Sequence, residues 1–541
     1  MDALTKESRT DPCTVFDVVI IGAGFSGIYM LHRMVNLGLK VQLLEEASGA
    51  GGTWHWNRYP GARCDIECME YSYSFSERLQ QEWKWTHKYS SQPEILEYAK
   101  HVVERFSLSK FIALDSRVAT ASYDENGSTW DIEIETGQRY HARYCIMATG
   151  TLSTVNVPTF PGLESYRGDC YLTGRWPEAG VDFTGKRVGI IGTGSTAIQV
   201  IPMIAKEAGH LAVFQRPANY SIPARNRPLS AEEVAMVKAN YLSIRAAARA
   251  SRGGTAAAVL PTQSAFAVSD EERYLEYEQR WRNGGLSFLA AYTDIASDDS
   301  ANETAAEFVR QQIRKIVSNP TTAELLSPKD TIGCKRLCLD TEYFETFNRD
   351  NVTLVDIQQA PINRFVETGI ETPAGLFQLD AIVFAMGFDA MTGALLASDI
   401  KGKSGRALRD KWSDGPRAYL GLLSEGFPNM FTVTGPGSPS VLSNMMTSIE
   451  QHVDWITKCI QFIEASGMSA IDADLEAEDD WMDHVEEVAS KTLRYGCNSW
   501  YLGANIEGKK RIFMPYAGGV STYAEKCAKI ASEGYRGFTI T

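Results

Sequence analysis

The chain contains two glycine-rich turns, at 22–27 and 192–197, and each follows an apolar run and precedes a helix-like run. Such a strand–turn–helix is typical of a dinucleotide-binding loop, because glycine lets the backbone approach a diphosphate and the helix N-terminus attracts its charge. Either turn alone could be a tight turn without a ligand, but two in the same context favour binding. The residues assigned here to cofactor binding are Gly22, Gly24, Gly27, Gly192, Gly194, Ser195 and Thr196.

The residue at the end of the second strand distinguishes the two sites. Glu45 lies 23 residues after Gly22, near the offset at which an acid accepts the ribose 2′-hydroxyl. The equivalent position after Gly192 is Gln215, followed by Arg216. An acid there would repel a 2′-phosphate, whereas a guanidinium attracts one. The first loop therefore suits FAD or NAD, and the second suits NADPH.

The order of the elements predicts an α/β fold with two Rossmann-like dinucleotide-binding domains and a helical insertion. A length of 541 residues exceeds what one core supports. Alternating residues at 118–144 predict a small antiparallel meander, and the run 228–330 is polar and helical. The acidic run 473–489 is expected to be a solvated helix face, and the Pro- and Gly-rich stretch 151–185 a linker.

Composition narrows the function classes. The net charge of −14 argues against nucleic acid or an anionic membrane as a partner. No run of 18 apolar residues exists, so we expect no membrane span, and the polar N-terminus predicts no signal peptide. The ten cysteines are scattered, with no CxxC pair and no metal-ligand spacing. We therefore expect free thiols, no metal and a cytoplasmic enzyme.

The segment GGTWHWNRYPGARCD, residues 51–65, matches in full the pattern [A/G]GxW, four residues, [F/Y]P[G/M], three residues, D. In this segment the chain resembles type I Baeyer–Villiger monooxygenases, and within them the phenylacetone and steroid monooxygenases. The segment 435–445 belongs to the same resemblance.

A second family fingerprint, FxGxxxHxxxWP, is matched only in part by YRGDCYLTGRWP at 166–177. Tyr166 replaces the Phe, and Leu172 stands where the family has His. Because Leu can only pack, we expect it to hold this segment by apolar contact with Tyr166 or Trp176.

The resemblance implies a flavoprotein that uses FAD, NADPH and O₂ to convert a ketone to an ester or lactone through a C4a-peroxyflavin. It also implies five parts. These are 1–150, the first part of the FAD-binding domain; 151–227, the first part of the NADP-binding domain; 228–332, the helical insertion; 333–384, the second part of the NADP-binding domain; and 385–541, the second part of the FAD-binding domain.

The resemblance places a catalytic cation at Arg336 and an orienting acid at Asp65. Arg suits a permanent charge beside negative oxygen atoms, because it does not lose its proton on desolvation. Lys335 is implied as a second contact to the 2′-phosphate, together with Arg216. From the residues alone, an Arg beside a Lys is more often a solvated surface pair, and Asp65 is equally a turn cap. The other residues that the resemblance assigns to cofactor binding are Gly52, Thr53, Trp54, Tyr71, Val118, Met445 and Trp500, and Met445 with Ser440–Leu442 also belongs to the implied substrate-pocket loop.

Other classes share the two loops. A disulfide reductase would need a redox cysteine pair near the flavin, which the cysteine spacing does not supply. A flavin-containing S/N-oxygenating monooxygenase, an NADPH oxidase and a non-catalytic redox-sensing nucleotide binder stay open as alternatives. The class of ketone, whether linear, cyclic, aryl or steroid, also stays open.

Overall fold

The computed structural model describes residues 14–256 and 260–541. The N-terminal segment 1–13, on which the expectation about a signal peptide rests, lies outside the described residues. The strands are β1 (Thr14–Ile21), β2 (Val41–Leu44), β3 (Ile112–Ala113), β4 (Val118–Asp124), β5 (Thr129–Ile134), β6 (Arg139–Met147), β7 (Asp169–Leu172), β8 (Arg187–Ile191), β9 (His210–Gln215), β10 (Ser221–Pro223), β11 (Cys338–Asp340), β12 (Val352–Asp356), β13 (Arg364–Val366), β14 (Gly369–Thr372), β15 (Gly375–Gln378), β16 (Ala381–Phe384), β17 (Asp399–Lys401), β18 (Met430–Thr432), β19 (Ile471–Ala473) and β20 (Phe538–Ile540).

The helices lie between these strands and after them. They are α1 (Phe25–Asn36), α2 (Thr53–Trp56), α3 (Glu77–Glu82), α4 (Gln92–Arg105), α5 (Ser195–Glu207), α6 (Ala231–Ala239), α7 (Tyr241–Ala250), α8 (Asp270–Asn283), α9 (Asp299–Ile316), α10 (Pro320–Leu326), α11 (Tyr343–Thr346), α12 (Gly393–Leu396), α13 (Leu408–Lys411), α14 (Met445–Ala465), α15 (Leu475–Ser490) and α16 (Val520–Ser532). Short 3-10 turns lie at Ser440–Leu442 and Trp500–Leu502.

The first sheet is built around the parallel strands β1, β2, β3 and β6, with α1 connecting β1 to β2. Strands β4, β5 and β6 form the expected antiparallel meander. Strands β17 and β18, from the C-terminal part of the chain, pair with β4 and β6. Val18, Ile20 and Leu43 are fully buried, because helices cover the parallel strands and their apolar runs lie in the core.

The second sheet is wholly parallel, in the order β12-β9-β8-β16-β7, and α5 connects β8 to β9. A mixed sheet and a parallel sheet, each with a βαβ unit that contains a glycine turn, confirm the predicted α/β fold class with two Rossmann-like domains. Helices α6 to α10 lie in the chain between β10 and β11, and their buried aromatic residues Tyr277, Trp281 and Phe308 share a core with the second sheet.

Part of the stretch 151–185, which the sequence predicts to be a linker, forms regular structure. Residues Asp169–Leu172 form the edge strand β7, which pairs in parallel with β16. Pairing satisfies the backbone groups of this stretch, which a solvated linker would leave to water. Leu172 packs against the apolar cluster that contains Tyr166 and Phe384, whereas Trp176 belongs to a different cluster.

Helix α15 is not only the solvated acidic face that its composition predicts. Glu478 is fully buried, and its carboxylate accepts a hydrogen bond from the backbone N–H of Glu425 at 2.9 Å. Its other partner is the Lys411 ammonium at 2.8 Å, which is itself 3% exposed. The expectation was therefore wrong for this position, because a buried lysine needs a buried acid and the composition of one helix does not reveal it.

The expectation of free thiols is wrong for one pair. Cys334 and Cys497 form a disulfide, with their Cα atoms 5.6 Å apart and 163 residues between them in sequence. Spacing along the chain did not reveal the pair, because the fold alone brings the two loops together. Within the described residues, the free cysteines are Cys64, Cys68, Cys145, Cys170, Cys338, Cys459 and Cys527.

Residues 14–256 and 260–541 contain neither a membrane-spanning helix nor a metal-binding cluster. No helix there combines the length and the apolar character that crossing a bilayer requires. No group of three or more His, Cys, Asp or Glu side chains there is arranged to hold a metal ion.

We expect Leu172→His to lower the free energy of unfolding by about 1–3 kcal/mol, because an imidazole placed in this apolar cluster has no hydrogen-bonding partner evolved for it. Thermal unfolding of the variant checks this, with Leu172→Met as the volume-conserving control. The oxygenated product should be unchanged. An unfolding temperature equal to that of the parent would show that the strand end tolerates a polar ring.

Candidate active site and dinucleotide sites

The first glycine loop presents free backbone N–H groups at the start of α1. Gly22 has φ +104°, and a Cβ there would lie 2.6 Å from the carbonyl oxygen of Ala148, so only glycine fits the turn. Gly24 is the N-cap residue of α1, and no side chain caps this end. The helix N-terminus is therefore open to a diphosphate, which this loop fits.

Glu45 lies at the carboxyl end of β2, beside the first loop. Its carboxylate accepts hydrogen bonds from the backbone N–H of Ala23 at 2.5 Å and of Ala47 at 2.8 Å. Burial raises the pKa of Glu45, and these two N–H donors partly offset that effect. The backbone oxygen of Glu45 accepts from the N–H of Ser116, two residues before Val118. The fold thus brings Glu45 close to the start of β4. Glu45 and Val118 would need this proximity if both contact the adenosine of one dinucleotide.

The segment 51–65 packs beside the first loop. Gly52 is the N-cap residue of α2, which begins at Thr53. The Trp54 indole N–H donates to the Tyr71 hydroxyl at 3.2 Å, and the two rings meet edge to face with centroids 5.9 Å apart. Burial raises the pKa of Tyr71, so this phenol stays protonated. These two aromatic side chains pack together close after Gly52, whose backbone lies against Gly24.

The second glycine loop repeats the geometry of the first. Gly192 has φ +115°, and a Cβ there would lie 2.4 Å from the carbonyl oxygen of Ala385. Gly194 is the N-cap residue of α5, which begins with Ser195 and Thr196 and has no side-chain cap. This loop therefore also fits a diphosphate.

Gln215, the last residue of β9, and Arg216, which follows it, have different environments. The Gln215 side chain is buried, and its amide donates to the carbonyl of Leu325 at 2.7 Å, away from solvent. Arg216 is exposed, and within the described residues no ion pair engages it. Lys335 lies in a different loop, where its ammonium is 3.5 Å from the Asp330 carboxylate. No hydrogen bond or ion pair between described residues joins Arg216 to Lys335.

A small cavity lies between the segment after β9 and the loop that carries Lys335. Its volume is about 20 Å³, and its lining includes Asn219, Asp330, Lys335 and Arg336. The Asn219 amide donates to the carbonyl of Thr193 at 2.8 Å, which fixes this segment to the second glycine loop. The cavity therefore places Lys335 and Arg336 on the side of the molecule where the second dinucleotide loop opens.

The structure brings Arg336 and Asp65 into a two-point ion pair. The guanidinium Nε donates to one Asp65 oxygen at 2.5 Å, and Nη2 donates to the other at 2.9 Å. Nη1 donates to the carbonyl of Val441 at 2.7 Å. Burial alone lowers the pKa of Arg336, but the Asp65 charge and hydrogen bonds outweigh it and raise that pKa, so the guanidinium is always charged. The side chains remain 28% and 22% exposed, so the pair lies in a partly open cleft.

The remaining predicted residues line the other side of this pair. Val441 and Leu442 belong to one apolar cluster with Trp500, Tyr501 and Met445, the first residue of α14. The Trp500 and Tyr501 rings lie 4.3 Å apart between centroids, and Tyr501 is 2% exposed. The cluster gives the Arg336 cleft an apolar wall, as a ketone pocket requires.

Sequence reasoning missed the contact that joins the two nucleotide regions. The Gln199 amide on α5 accepts from the Tyr59 hydroxyl at 2.8 Å and donates to the carbonyl of Arg63 at 3.1 Å. The helix that begins at the second glycine loop thus holds the segment that ends at Asp65. The Val441 carbonyl and the Cys334–Cys497 bond were missed as well. For the disulfide, the one signal in the sequence was that Cys334 directly precedes Lys335. The Gln199 contacts and the Val441 carbonyl had no signal in the sequence.

Asp340, at the end of β11, gives the neighbourhood of the site a pH-dependent stability. It is 6% exposed, accepts from the Ser221 hydroxyl at 2.6 Å and from the Tyr343 backbone, and burial raises its pKa to about 6. Because the folded pKa lies above the unfolded value, its protonated form stabilises the fold below pH about 4, and this contribution is lost as the pH rises through about 6.

We therefore expect Asp340→Asn to be more stable than the parent at pH 7.5 by up to about 3 kcal/mol, and similar to it at pH 4. Denaturant unfolding of both proteins at several pH values measures the difference. A difference that stays constant between pH 4 and pH 7.5 would contradict the raised pKa.

The chain is similar to known proteins along nearly its whole length. A family model described as pyridine nucleotide-disulphide oxidoreductase matches residues 19–251. A phenazine N-monooxygenase from Lysobacter antibioticus is 41% identical over 97% of this chain and 97% of its own. A Baeyer–Villiger monooxygenase from Pseudooceanicola batsensis is 41% identical over 99% of this chain and 98% of its own. The structure of an oxidised steroid monooxygenase bound to NADP is 50% identical, covers 97% of this chain and 99% of that one, and has a TM-score of 0.93.

The likeness spans both sheets, the helices between them and the C-terminal region, so it is not limited to the common nucleotide-binding loops. The fold and the motif at 51–65 agree with it. FAD and NADPH are the cofactors of this enzyme, and the two glycine loops fit their diphosphates. The chain therefore belongs to the flavin-dependent Baeyer–Villiger monooxygenases, which oxygenate ketones to esters or lactones at the expense of NADPH.

Proposed function

We propose that the Arg336 guanidinium, oriented by Asp65, is the permanent cation beside which the ketone is oxygenated. The observation that carries this proposal is the two-point contact between the two side chains, with Nη1 fixed on the Val441 carbonyl. Of the five guanidinium N–H groups, these contacts use three. One N–H on Nη1 and one on Nη2 remain to donate to a negatively charged oxygen.

The chemistry that FAD supplies when bound is the transfer of electrons from NADPH and the activation of O₂. The chain's own residues supply position and charge. A unit charge ~4 Å from an oxygen anion contributes about 4 kcal/mol at an effective dielectric constant near 20. Because Asp65 holds Arg336 in place before the ketone arrives, little reorganisation is required when negative charge develops.

We further propose that Arg216 and Lys335 bind the 2′-phosphate of NADPH. Arg216 is exposed beside the second loop, and Lys335 borders the small cavity that faces it. The Asp330 carboxylate holds the Lys335 ammonium at 3.5 Å, so a bound phosphate would compete with this acid for the same cation.

The remaining predictions from the sequence stay proposals. O₂ as co-substrate follows from the proposed chemistry. The absence of a nucleic-acid partner rests on the net charge of −14, and the cytoplasmic location on the seven free thiols among the described cysteines. The five domain segments, from 1–150 to 385–541, are proposed unchanged.

A panel of linear, cyclic, aryl and steroid ketones tests the function, with NADPH oxidation followed by absorbance and the products identified by mass spectrometry. We expect at least one ketone to stimulate NADPH consumption and to yield its ester or lactone. The phenazine N-monooxygenase among the relatives favours one further substrate class, so the panel includes a phenazine. An N-oxide with no ester would move the function to heteroatom oxygenation, and peroxide alone would move it to NADPH oxidation.

A further inference from the structure

The Cys334–Cys497 disulfide joins the two loops that carry proposed cofactor contacts. Cys334 directly precedes Lys335 and Arg336, and Cys497 lies three residues before Trp500. The bond connects segments that are 163 residues apart, so no short local loop would keep them together without it. The bond therefore lies beside residues that are proposed to contact NADP.

A cavity of about 100 Å³ lies against this bond. Gly333 and Cys334 line it from one loop, and Leu493 and Arg494 from the other. Its volume admits a few water-sized molecules, hydrogen peroxide among them. Cys334 is 5% exposed, whereas Cys497 is half-buried, so Cys497 is the more accessible residue of the pair.

We propose that this disulfide is a redox-controlled tether that sets how tightly the enzyme holds NADP. In the oxidised state it keeps the Lys335 loop against the Trp500 loop in the arrangement that binds the coenzyme. In the reduced state the two loops separate, and NADP is held less tightly. The inference rests on the proposed contact between Lys335 and the 2′-phosphate.

Both redox steps balance with ordinary cellular reagents. In reduction, a dithiol attacks the Cys497 sulfur, and Cys334 leaves as a thiolate that takes a proton. The second thiol of the reagent then attacks the mixed disulfide, which releases the Cys497 thiol and forms the reagent's own disulfide. In oxidation, hydrogen peroxide converts the Cys497 thiol to a sulfenic acid and water. The Cys334 thiol then displaces a second water to form the disulfide. In a reducing compartment, disulfides that form are mostly transient and regulatory.

A hydrogen bond between the two loops remains after reduction, because the Arg494 Nε donates to the carbonyl of Gly333 at 3.0 Å. The Leu493 N–H donates instead to the carbonyl of Ala296, in a third segment, at 2.9 Å. We expect the Arg494 bond to allow the closed arrangement without enforcing it. If the reduced loops are closed about a tenth of the time, the Kd for NADP rises about tenfold.

Peptide mapping of the FAD-loaded enzyme, alkylated before digestion, tests the bond itself. We expect a Cys334–Cys497 linked peptide from air-oxidised protein, and its loss after dithiothreitol. Calorimetric titration with NADP⁺ then tests the consequence. We expect reduction to raise the Kd about tenfold, and Cys497→Ser to show the same raised Kd with or without dithiothreitol.

Cys170→Ser is the matched control, because Cys170 is a free, exposed thiol on β7. It should bind NADP⁺ like the parent and respond to dithiothreitol like the parent. Circular dichroism and flavin content establish that each variant is folded and loaded. Absence of the linked peptide would overturn the proposal, and so would an equal Kd in both redox states. The role of Lys335 is tested separately: if Lys335→Ala leaves the Kd unchanged while reduction raises it, only the phosphate contact is wrong.

Discussion

Replacing Arg336 with Ala is expected to lower ester formation about 10²- to 10³-fold while FAD stays bound. The Arg336 side chain contacts Asp65 and Val441, and the first glycine loop that fits the flavin diphosphate is a separate structure. The loss follows because Ala removes the fixed charge and the two unused N–H donors of the guanidinium. Product analysis under saturating NADPH, with flavin content measured by absorbance, separates the two effects.

Two further variants sharpen this result. Arg336→Lys keeps a positive charge but cannot make the two-point contact, so we expect it to recover only part of the lost rate. Arg167→Ala is the matched control, since Arg167 is a 75%-exposed arginine whose single ionic partner is 4.0 Å away. An Arg336→Ala enzyme that forms ester near the parent rate would remove Arg336 from the mechanism.

Removing either Arg216 or Lys335 is expected to weaken NADPH binding about 10- to 100-fold, because a charge-assisted hydrogen bond contributes about 1.5–3 kcal/mol. The KM for NADH should change little, since NADH has no 2′-phosphate. The Arg216 effect should be the larger of the two if Asp330 already neutralises part of the Lys335 charge at 3.5 Å. Steady-state KM values for both coenzymes, measured on each single variant, give the comparison.

Lys329→Ala is the matched control for this pair, because Lys329 is 82% exposed in the same loop. It should leave both KM values as they are in the parent. Equal losses for NADH and NADPH in Arg216→Ala and Lys335→Ala would show that these cations act on something other than the phosphate.

Local sequence patterns were sufficient to predict the fold class. The runs before Gly22 and Gly192 had to be buried parallel strands, because apolar runs that end in glycine turns and precede helices fit little else. The meander at 118–144 was equally readable from its alternation. Patterns of this kind depend on neighbours within about twenty residues along the chain, which a sequence displays directly.

Long-range contacts were not readable in the same way. The burial of Glu478 depends on Lys411, which is far away in sequence. The edge strand in the segment 166–177 depends in the same way on pairing with β16. Arg336 and Asp65 are 271 residues apart, and only the family resemblance placed them in one site. Their geometry, including the Val441 carbonyl as third partner, needed the structure.

The most direct test of the central claim is oxygenation under ¹⁸O₂ with a ketone that stimulates NADPH consumption. We expect an ester or lactone that carries one ¹⁸O atom, formed in about equal amount to the NADPH consumed, because one atom of O₂ enters the product and the other becomes water. NADPH consumption that yields only labelled hydrogen peroxide, with every ketone tried, would contradict it.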